Sequence, residues 1–176
     1  MAKQAPSKPS HAKAGQSKKA RLKKVPAKKP PPKPSNREPD REPRAQFAAL
    51  PWRLTAEGEI EVLLITSRET RRWVIPKGWP IKGMSSAKSA AQEAFEEAGV
   101  RGKVAKGPVG AYAYDKRLKN GRLQHVRVAV FALQVESEAE TYPELGQREK
   151  RWLPLAEAAT LVAESELMVV LATFTP

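Results

Sequence analysis

The sequence of 176 residues contains no cysteine and only two histidines, His11 and His125. The lack of cysteine excludes disulfides and cysteine-ligated zinc sites, so a bound metal would need oxygen ligands. No run of about eighteen apolar residues is present, and the N-terminal region lacks the apolar stretch of a secretory signal. We therefore expect a soluble, cytoplasmic protein without a transmembrane segment.

Acidic residues are scarce at the N-terminus. The first 44 residues hold 14 of the 32 Lys and Arg residues and nine of the 16 prolines, but only three acids. Such a stretch cannot bury enough apolar surface to offset the loss of chain entropy, so residues 1–44 are predicted to form a disordered Lys/Pro-rich tail. The remainder, residues 45–176, has the size of one folded domain with its own core.

The lysines of the predicted tail suit nonspecific contact with RNA, DNA or an anionic membrane surface, because binding to phosphates releases counterions. No aromatic residue lies among these lysines before Phe47. Base stacking by the tail is therefore not expected. A solubilising role is the plainer interpretation.

From Gln46 onward, apolar and β-branched runs predict strands, and Ala, Leu and Met at helical spacing predict helices. The strands are predicted at 46–54, 60–65, 73–75, 104–114, 124–135 and 151–153, and the helices at 87–98, 155–162 and 165–174. A loop is predicted from Lys77 to Ser85, and its length indicates a function. Strands mixed with packed helices favour an α/β sandwich.

The clearest predicted helix has a cap at Ser85 or Ser86 and ends at Gly99. Glu93, Glu96 and Glu97 stand at i, i+3 and i+4 of this helix, which places three carboxylates near one face. A hard cation such as magnesium would relieve their repulsion and would keep some waters for substrate phosphates. The alternative is that these glutamates only form a solvated helix face.

The loop before this helix carries Lys77 and Lys82, and free N–H groups at a helix N-terminus beside lysines suit a phosphate. Gly78 and Gly83 have the spacing of a phosphate-binding P-loop, but Met84 occupies the position of its lysine. The P-loop interpretation is therefore rejected. Serine-nucleophile and metalloprotease signatures are absent from the sequence.

Gly78 and the segment 93–100 resemble the Nudix box, whose pattern is Gly, five residues, Glu, seven residues, then Arg-Glu-apolar-x-Glu-Glu-x-Gly-apolar. The spacing agrees without gaps. Met84 replaces the early glutamate, and Gln92 replaces the arginine that helps to orient the catalytic glutamates in the family. Gln92 can donate hydrogen bonds but brings no charge.

The segments 73–78 and 148–152 are similar to the diphosphoinositol polyphosphate and dinucleoside polyphosphate hydrolase branch of the family. The resemblance implies a Nudix-type α/β/α sandwich with a mixed β-sheet. It also implies a hydrolase that uses Mg²⁺ or Mn²⁺ to cleave a phosphoanhydride bond. The small phosphorylated substrate would be a nucleoside diphosphate derivative, a dinucleoside polyphosphate or an inositol pyrophosphate.

The resemblance implies that Glu93, Glu96 and Glu97 are metal ligands, and that one of them or Glu149 accepts the proton of the attacking water. Basic residues near the box would suit a highly anionic substrate. The candidate substrate-binding residues are Arg68, Arg72, Lys77, Gly78 and Lys82, with Arg71 beside them.

Two rival interpretations remain. One is a catalytically weakened Nudix domain that acts as a nucleotide- or RNA-binding module, which the losses at Met84 and Gln92 would allow. The other is a basic nucleic-acid-associated protein whose folded part only dimerises. Several further polar or aromatic residues are expected to be structural: Trp52, Trp73, Trp152, Tyr112, Tyr114 and His125.

Overall fold

The first strand begins at Arg44 in a computed structural model that describes residues 43–118 and 120–176. The predicted tail, residues 1–44, lies outside the described residues except for its last two. None of the helices in the described part of the chain is both long enough and apolar enough to cross a membrane.

The described residues form a mixed sheet and three helices. The strands are β1 (Arg44–Leu54), β2 (Ile60–Thr66), β3 (Trp73–Val74), β4 (Lys77–Gly78), β5 (Val100–Val104), β6 (Gly110–Arg117), β7 (Leu123–Glu138) and β8 (Lys150–Pro154). The helices are α1 (Ser86–Ala98), α2 (Leu155–Leu161) and α3 (Ser165–Ala172).

β1 and β7 form the centre of the sheet and run parallel, from the pair Arg44 and Val126 to the pair Trp52 and Gln134. All other strand pairs in the described residues are antiparallel. The long strand β7 pairs with β6 along its first half and with β5 along its second half. On the other side of β1 lies β2, which also pairs with β3 and β8.

The two faces of the sheet carry separate cores, because successive side chains of a strand point to opposite faces. Leu63 and Ile65 pack with α1 on one face, whereas Val62 and Leu64 pack with α2 and α3 on the other. Helix α1 meets the sheet through small residues, Ala90, Ala94 and Ala98, which are fully buried. The expected α/β/α sandwich with a mixed sheet is confirmed.

Two predicted elements are wrong in detail. The strand expected at 104–114 is two strands, β5 and β6, because Gly107 and Pro108 interrupt it. The loop expected from Lys77 begins instead with β4, whose two residues pair with Phe47 and Ala48 of β1. This pairing fixes the backbone that enters the site.

Candidate active site

Helix α1 is positioned by its caps. The Ser85 side chain accepts a hydrogen bond from the Lys88 amide at 3.3 Å, and Gly99 takes a left-handed conformation with φ of 74° at the other end. Gly99 also donates its amide to the carbonyls of Ala94 and Phe95. The predicted cap and stop are confirmed, and the helix presents Glu93 and Glu97, one turn apart, to the same side.

A cleft of about 570 Å³ lies between α1, β4, β6 and the segments that follow β2 and precede β8 and α3. Six residues expected at the site line this cleft: Arg68, Arg72, Lys77, Gly78, Glu93 and Glu97. The other lining residues, which the sequence did not indicate as site residues, include Trp79, Tyr114, Asp115, Glu144, Arg148 and Glu164.

Gly78 is required by close approach to Glu93. A Cβ atom added at Gly78 would lie 2.0 Å from the Glu93 Cδ atom and 2.0 Å from its Oε1 atom. Pairing of β4 with β1 holds the Gly78 backbone in place, so a Cβ atom there would force the Glu93 carboxylate to move. The glycine of the box therefore makes room for the first glutamate of the helix.

Glu97 is held from two directions. The Lys77 amide donates a hydrogen bond to Glu97 Oε2 at 3.0 Å, and Arg148 Nη2 donates to Glu97 Oε1. Arg148 also donates from Nε to Glu144 Oε2 at 2.6 Å and from Nη1 to the Thr66 carbonyl at 2.9 Å. The Arg148 and Glu97 side chains are only 7% and 11% exposed, so this network is largely desolvated.

Arg148 supplies the positive charge that Gln92 lacks. Gln92 Nε2 donates to Glu96 Oε1 at 2.7 Å, and among the described residues its side chain has no hydrogen bond to Glu93 or Glu97, the two α1 glutamates that line the cleft. Arg148 reaches Glu97 from the segment before β8, 51 residues later in the chain. Met84 is the other residue that differs from the motif. It is 44% exposed and does not line the cleft.

The pKa values of Glu93 and Glu97 are raised in the folded chain. Burial, together with the charges of Glu97, Glu96 and Glu144, raises the pKa of Glu93 to about 7. Burial also raises the pKa of Glu97, although Arg148 and Lys77 oppose that shift. The desolvated amine of Lys77 has a lowered pKa, which the charges of Glu97 and Glu164 partly offset.

No group of three or more acidic or histidine side chains converges on one point suited to a metal within residues 43–118 and 120–176. Each oxygen of Glu97 accepts a hydrogen bond from a protein donor, Lys77 or Arg148. The donor set still fits a divalent cation by its chemistry. Glu93, Glu97 and Glu144 present hard oxygen atoms to one cleft, and the mutual repulsion that raises the Glu93 pKa is the kind that a cation relieves.

Three predicted site residues do not line the cleft. Glu149 is 66% exposed and pairs with Arg71, so it is not brought to the clustered carboxylates. Lys82 is exposed in the turn before α1. Glu96 lies on α1 beside the cleft, with its carboxylate engaged by Gln92.

The aromatic residues divide between core and cleft. Trp52, Trp73 and Trp152 pack against the two cores, as expected. Tyr112 is fully buried in one core, whereas Tyr114 lines the cleft and donates its hydroxyl to Gln46 Oε1 at 2.8 Å. The predicted core position is thus confirmed for Tyr112, whereas Tyr114 also lines the cleft.

His125 is a hydrogen-bonded strand residue, as expected. Its Nδ1 atom lies 2.9 Å from Asp115 Oδ1, directly across the β6 and β7 pair. Asp115 lines the cleft, but His125 does not.

A second acidic group lies apart from the glutamates of α1. Glu164, just before α3, has a side chain that is 10% exposed, and its Oε1 atom is 3.6 Å from Arg72 Nη1. Within the part of the chain that the structure describes, its Oε2 atom and the hydroxyl of Tyr112 are buried without a hydrogen-bond partner. The spacing of residues in the sequence could not identify Glu164 or Glu144 as site residues, because each lies in a segment without a motif.

Residues 44–172 match the family model described as the NUDIX domain. Nudix hydrolase 12, mitochondrial, of Arabidopsis thaliana is 34% identical over 106 residues, which cover 58% of this chain and 52% of that protein. The chain thus spans about half the length of this curated relative.

Two solved structures share the fold. The Ap4A hydrolase of C. elegans superposes with a TM-score of 0.54 and 19% identity, covering 74% of this chain and 95% of that one. The NUDIX domain of Shewanella oneidensis NrtR, solved in complex with ADP ribose, gives a TM-score of 0.54 and 14% identity, covering 77% and 90%. At these identities, both likenesses concern the fold.

Proposed function

The chain belongs to the NUDIX domain family, and from this premise we propose that it is a metal-dependent hydrolase of phosphoanhydride bonds in small phosphorylated substrates. The observation that carries the proposal is the placement of Glu93, Glu97 and Glu144 in one cleft with Lys77, Arg68 and Arg72 around them. Carboxylates suit a divalent cation, and the basic residues suit the phosphates that it would bridge.

Glu93, Glu97 and Glu144 would hold the cation, Mg²⁺ or Mn²⁺, which supplies Lewis acidity toward phosphate oxygens and lowers the pKa of a bound water. Glu96 remains a predicted ligand. Its carboxylate is engaged by Gln92 rather than turned into the cleft. Arg148 holds Glu97 in its rotamer and balances the charge of Glu144.

Lys77 is the phosphate-binding residue that the geometry favours most. It lines the cleft beside Glu97, and its backbone is fixed by pairing with Ala48. Arg68 and Arg72 are about half exposed at the rim, where they can contact an incoming anion. These cations would align the diphosphate and stabilise the charge that develops on the leaving oxygen.

Glu93 is suited to accept the proton of the attacking water. Its side chain lines the cleft with Glu97 and Glu144, so it faces the space that a water on the proposed cation would occupy. Glu149, the residue outside α1 that was also predicted for this role, does not line the cleft.

The proposed substrates are nucleoside diphosphate derivatives, dinucleoside polyphosphates and inositol pyrophosphates. The C. elegans relative in fold is an Ap4A hydrolase, and the NrtR domain was solved with ADP ribose. These names support a nucleotide-containing substrate without fixing which one. A panel of such compounds distinguishes them.

The test is product release from this panel by the full chain, with and without Mg²⁺, for the wild type, Glu97→Gln and Glu57→Gln. Glu57 is exposed in the turn between β1 and β2 and serves as the matched control. We expect metal-dependent turnover that falls by about 100-fold or more in Glu97→Gln, because it loses both a carboxylate charge and the Arg148 pair. The control should match the wild type.

The second candidate is a nucleotide- or RNA-binding module that has lost catalysis. The observation that favours it is the occupation of both Glu97 oxygens by protein donors. It predicts no turnover of any compound, and ligand binding that is independent of metal and unchanged by Glu97→Gln. That result would overturn the hydrolase proposal.

A further inference from the structure

Residues 139–149 connect β7 to β8 and bring two charged side chains, Glu144 and Arg148, to the cleft. Glu93 and Glu97, which line the same cleft, belong to α1. The carboxylates of the cleft therefore come from two separate segments of the chain. Their mutual distances depend on how the loop 139–149 is attached to the helix.

Backbone hydrogen bonds attach this loop to the C-terminal end of α1. The Ala139 amide donates to the Gly99 carbonyl at 2.7 Å, and the Glu144 amide donates to the Glu96 carbonyl at 3.0 Å. The last carbonyls of a helix have no donor within the helix, so a loop that supplies donors satisfies them. The loop is thus bonded to the helix end at its first residue and again at the residue that carries a cleft carboxylate.

Between these two hydrogen bonds, the ring of Tyr142 packs on Gly99. A Cβ atom added at Gly99 would lie 2.4 Å from Cδ1 and 2.7 Å from Cε1 of this ring. The glycine that ends the helix therefore has two roles. It adopts the left-handed conformation with φ of 74°, and it leaves the space in which an aromatic ring of the loop lies.

The Tyr142 ring also lies near Lys150, the first residue of β8. Lys150 Nζ is 5.6 Å from the centre of the ring, within the range of a cation–π contact. The same amine donates to the Ala98 carbonyl at 3.3 Å and to Glu138 Oε2 at 2.8 Å. Tyr142 therefore interacts with the end of the helix and with the strand that follows the loop.

Only Pro143 separates Tyr142 from Glu144. Proline fixes its own φ and restricts the residue before it to extended backbone. The Leu145 amide donates to the Tyr142 carbonyl at 3.2 Å, which closes a turn around Glu144. Because this segment is short and conformationally restricted, a displacement of the ring would also displace the Glu144 carboxylate.

We propose that Tyr142 is a positioning residue of the cleft: its ring fixes the loop 139–149 on Gly99 and so sets the distance from Glu144 to the glutamates of α1. The role of these carboxylates toward a cation rests on the proposed function, whereas the attachment of the loop does not depend on it. A phenylalanine at this position would keep the ring and its packing on Gly99. An alanine would remove both.

The test compares the full-length wild type with Tyr142→Ala, Tyr142→Phe and Phe95→Ala. Phe95 is a partly buried residue of α1 that contacts Arg101 outside the cleft, so Phe95→Ala is the matched control for the loss of a ring. Hydrogen exchange of the metal-free chain measures the attachment of the loop. The Glu144 and Leu145 amides should exchange about 10-fold faster in Tyr142→Ala, whereas Tyr142→Phe and the control should match the wild type there.

Titration with Mn²⁺, followed by electron paramagnetic resonance, measures the consequence for the carboxylates. Affinity should fall by about 10-fold in Tyr142→Ala and be retained in Tyr142→Phe and the control, because a group that orients metal ligands typically changes metal affinity by such a factor. In turnover, the Mg²⁺ concentration for half-maximal rate should rise by the same factor. KM for the selected substrate should change by less than about 3-fold, because Lys77 and Arg72 lie on other segments.

Gly99→Ala, alone and combined with Tyr142→Ala, tests the contact itself. The left-handed backbone strains an alanine at this position whether or not the ring is present, but the added Cβ meets the ring only when Tyr142 is there. The two substitutions should therefore lower Mn²⁺ affinity by less than the product of their separate effects. Fully multiplicative effects would mean that the ring does not act through Gly99, and would overturn the inference.

Two further results would overturn it. Unchanged exchange of the Glu144 amide in Tyr142→Ala would mean that the backbone hydrogen bonds hold the loop without the ring. Faster exchange with unchanged Mn²⁺ affinity, or an equal loss of affinity in Phe95→Ala, would mean that Tyr142 has no specific role in placing the carboxylates. A wild type that binds no Mn²⁺ and hydrolyses no compound would refute the proposed function, and the exchange result alone would then support or overturn the attachment of the loop by Tyr142.

Discussion

Arg148 contributes most to the charge balance around Glu97, and Lys77 adds to it. Its guanidinium contacts Glu97 and Glu144 and the Thr66 carbonyl, so three acceptors share one cation. A guanidinium suits this position because its donors lie in one rigid plane and it stays charged when desolvated. The side chain therefore acts as a positioning residue for the carboxylates of the cleft.

Arg148→Ala is expected to lower the free energy of unfolding of the metal-free chain by about 3 kcal/mol, because removal of one partner leaves buried charge without compensation. Added Mg²⁺ should recover more stability in this variant than in the wild type, since the cation takes over part of the neutralisation. Urea unfolding with and without Mg²⁺ measures both effects.

Arg151→Ala is the control for Arg148→Ala. Arg151 lies on β8 and pairs with Glu157 at 3.3 Å, with both side chains about half exposed. Exposed pairs contribute at most about 1 kcal/mol, so this loss should be small. Equal losses in the two variants would show that the Arg148 network has no special role.

Protonation of Glu93 should make the stability of the metal-free chain depend on pH. The ordinary pKa of 4.5 describes the unfolded chain, and the folded value is about 7. Because the folded state binds this proton more tightly, the contribution is fully present below pH 4.5 and is lost as the pH rises through about 7. The half-buried position of Glu93 limits the loss to about 1 kcal/mol.

Thermal unfolding in EDTA between about pH 4.5 and 7.5 measures this slope. Glu93→Gln should show a smaller decrease than the wild type, whereas Glu57→Gln should not differ from it. Part of the slope should remain in Glu93→Gln, because burial also raises the pKa of Glu97. Parallel curves for Glu93→Gln and the wild type would refute the assignment.

At the scale of secondary structure elements, the contact between β4 and α1 decides whether the glutamates can face the cleft. β4 has only two residues, but its pairing with Phe47 and Ala48 sets the distance between the loop backbone and the helix. Glu93 fills the space that a side chain at Gly78 would need. An element that short is stable only because its partner β1 is central in the sheet.

Gly78→Ala should reduce metal-dependent turnover by about 100-fold, because the added Cβ displaces Glu93 by ångströms from its position in the cleft. Gly107→Ala is the control, since a Cβ there meets nothing within 4 Å. Steady-state kinetics on the selected substrate measure the effect. Turnover retained in Gly78→Ala would show that Glu93 does not need its present position.

Local signals were enough to predict α1 and insufficient for β4. Ser85 and Gly99 mark the ends of α1 through contacts within a few residues, so the sequence alone locates the helix. β4 exists through pairing with residues 30 positions away, and nothing in Lys77 and Gly78 themselves indicates a strand. The split into β5 and β6 could have been predicted, because Gly107 and Pro108 are strand breakers.

At the scale of the whole molecule, basic charge is concentrated at the N-terminus. Residues 1–35 hold 11 of the 32 basic residues and no acid, which leaves 21 basic and 19 acidic residues in the rest. Among the described residues, those that line the cleft all follow Arg44. The sequence therefore concentrates basic charge at the N-terminus, and the described domain contains the cleft.

Removal of residues 1–35 is expected to leave turnover of the selected substrate unchanged. Any affinity for RNA or DNA should fall with the deletion, and in the full chain it should decrease steeply with added salt, because such binding releases counterions from phosphates. Kinetics and filter binding on both chains measure these effects. A truncated chain that unfolds at the same temperature but has lost turnover would show that residues 1–35 are needed for catalysis.

The sequence by itself determined the family, the sandwich fold and α1 with its caps, and it predicted Glu93 and Glu97 as site residues, because each rests on spacing within a short segment. Only the tertiary structure decided that Arg148 contacts Glu97, that Glu144 and Glu164 line the cleft with Glu93 and Glu97, and that Glu149 does not. Contacts between segments tens of residues apart depend on strand order and register, above all on the parallel pairing of β1 with β7. A local pattern contains no information about such pairing, because many registers are compatible with the same alternation of apolar residues.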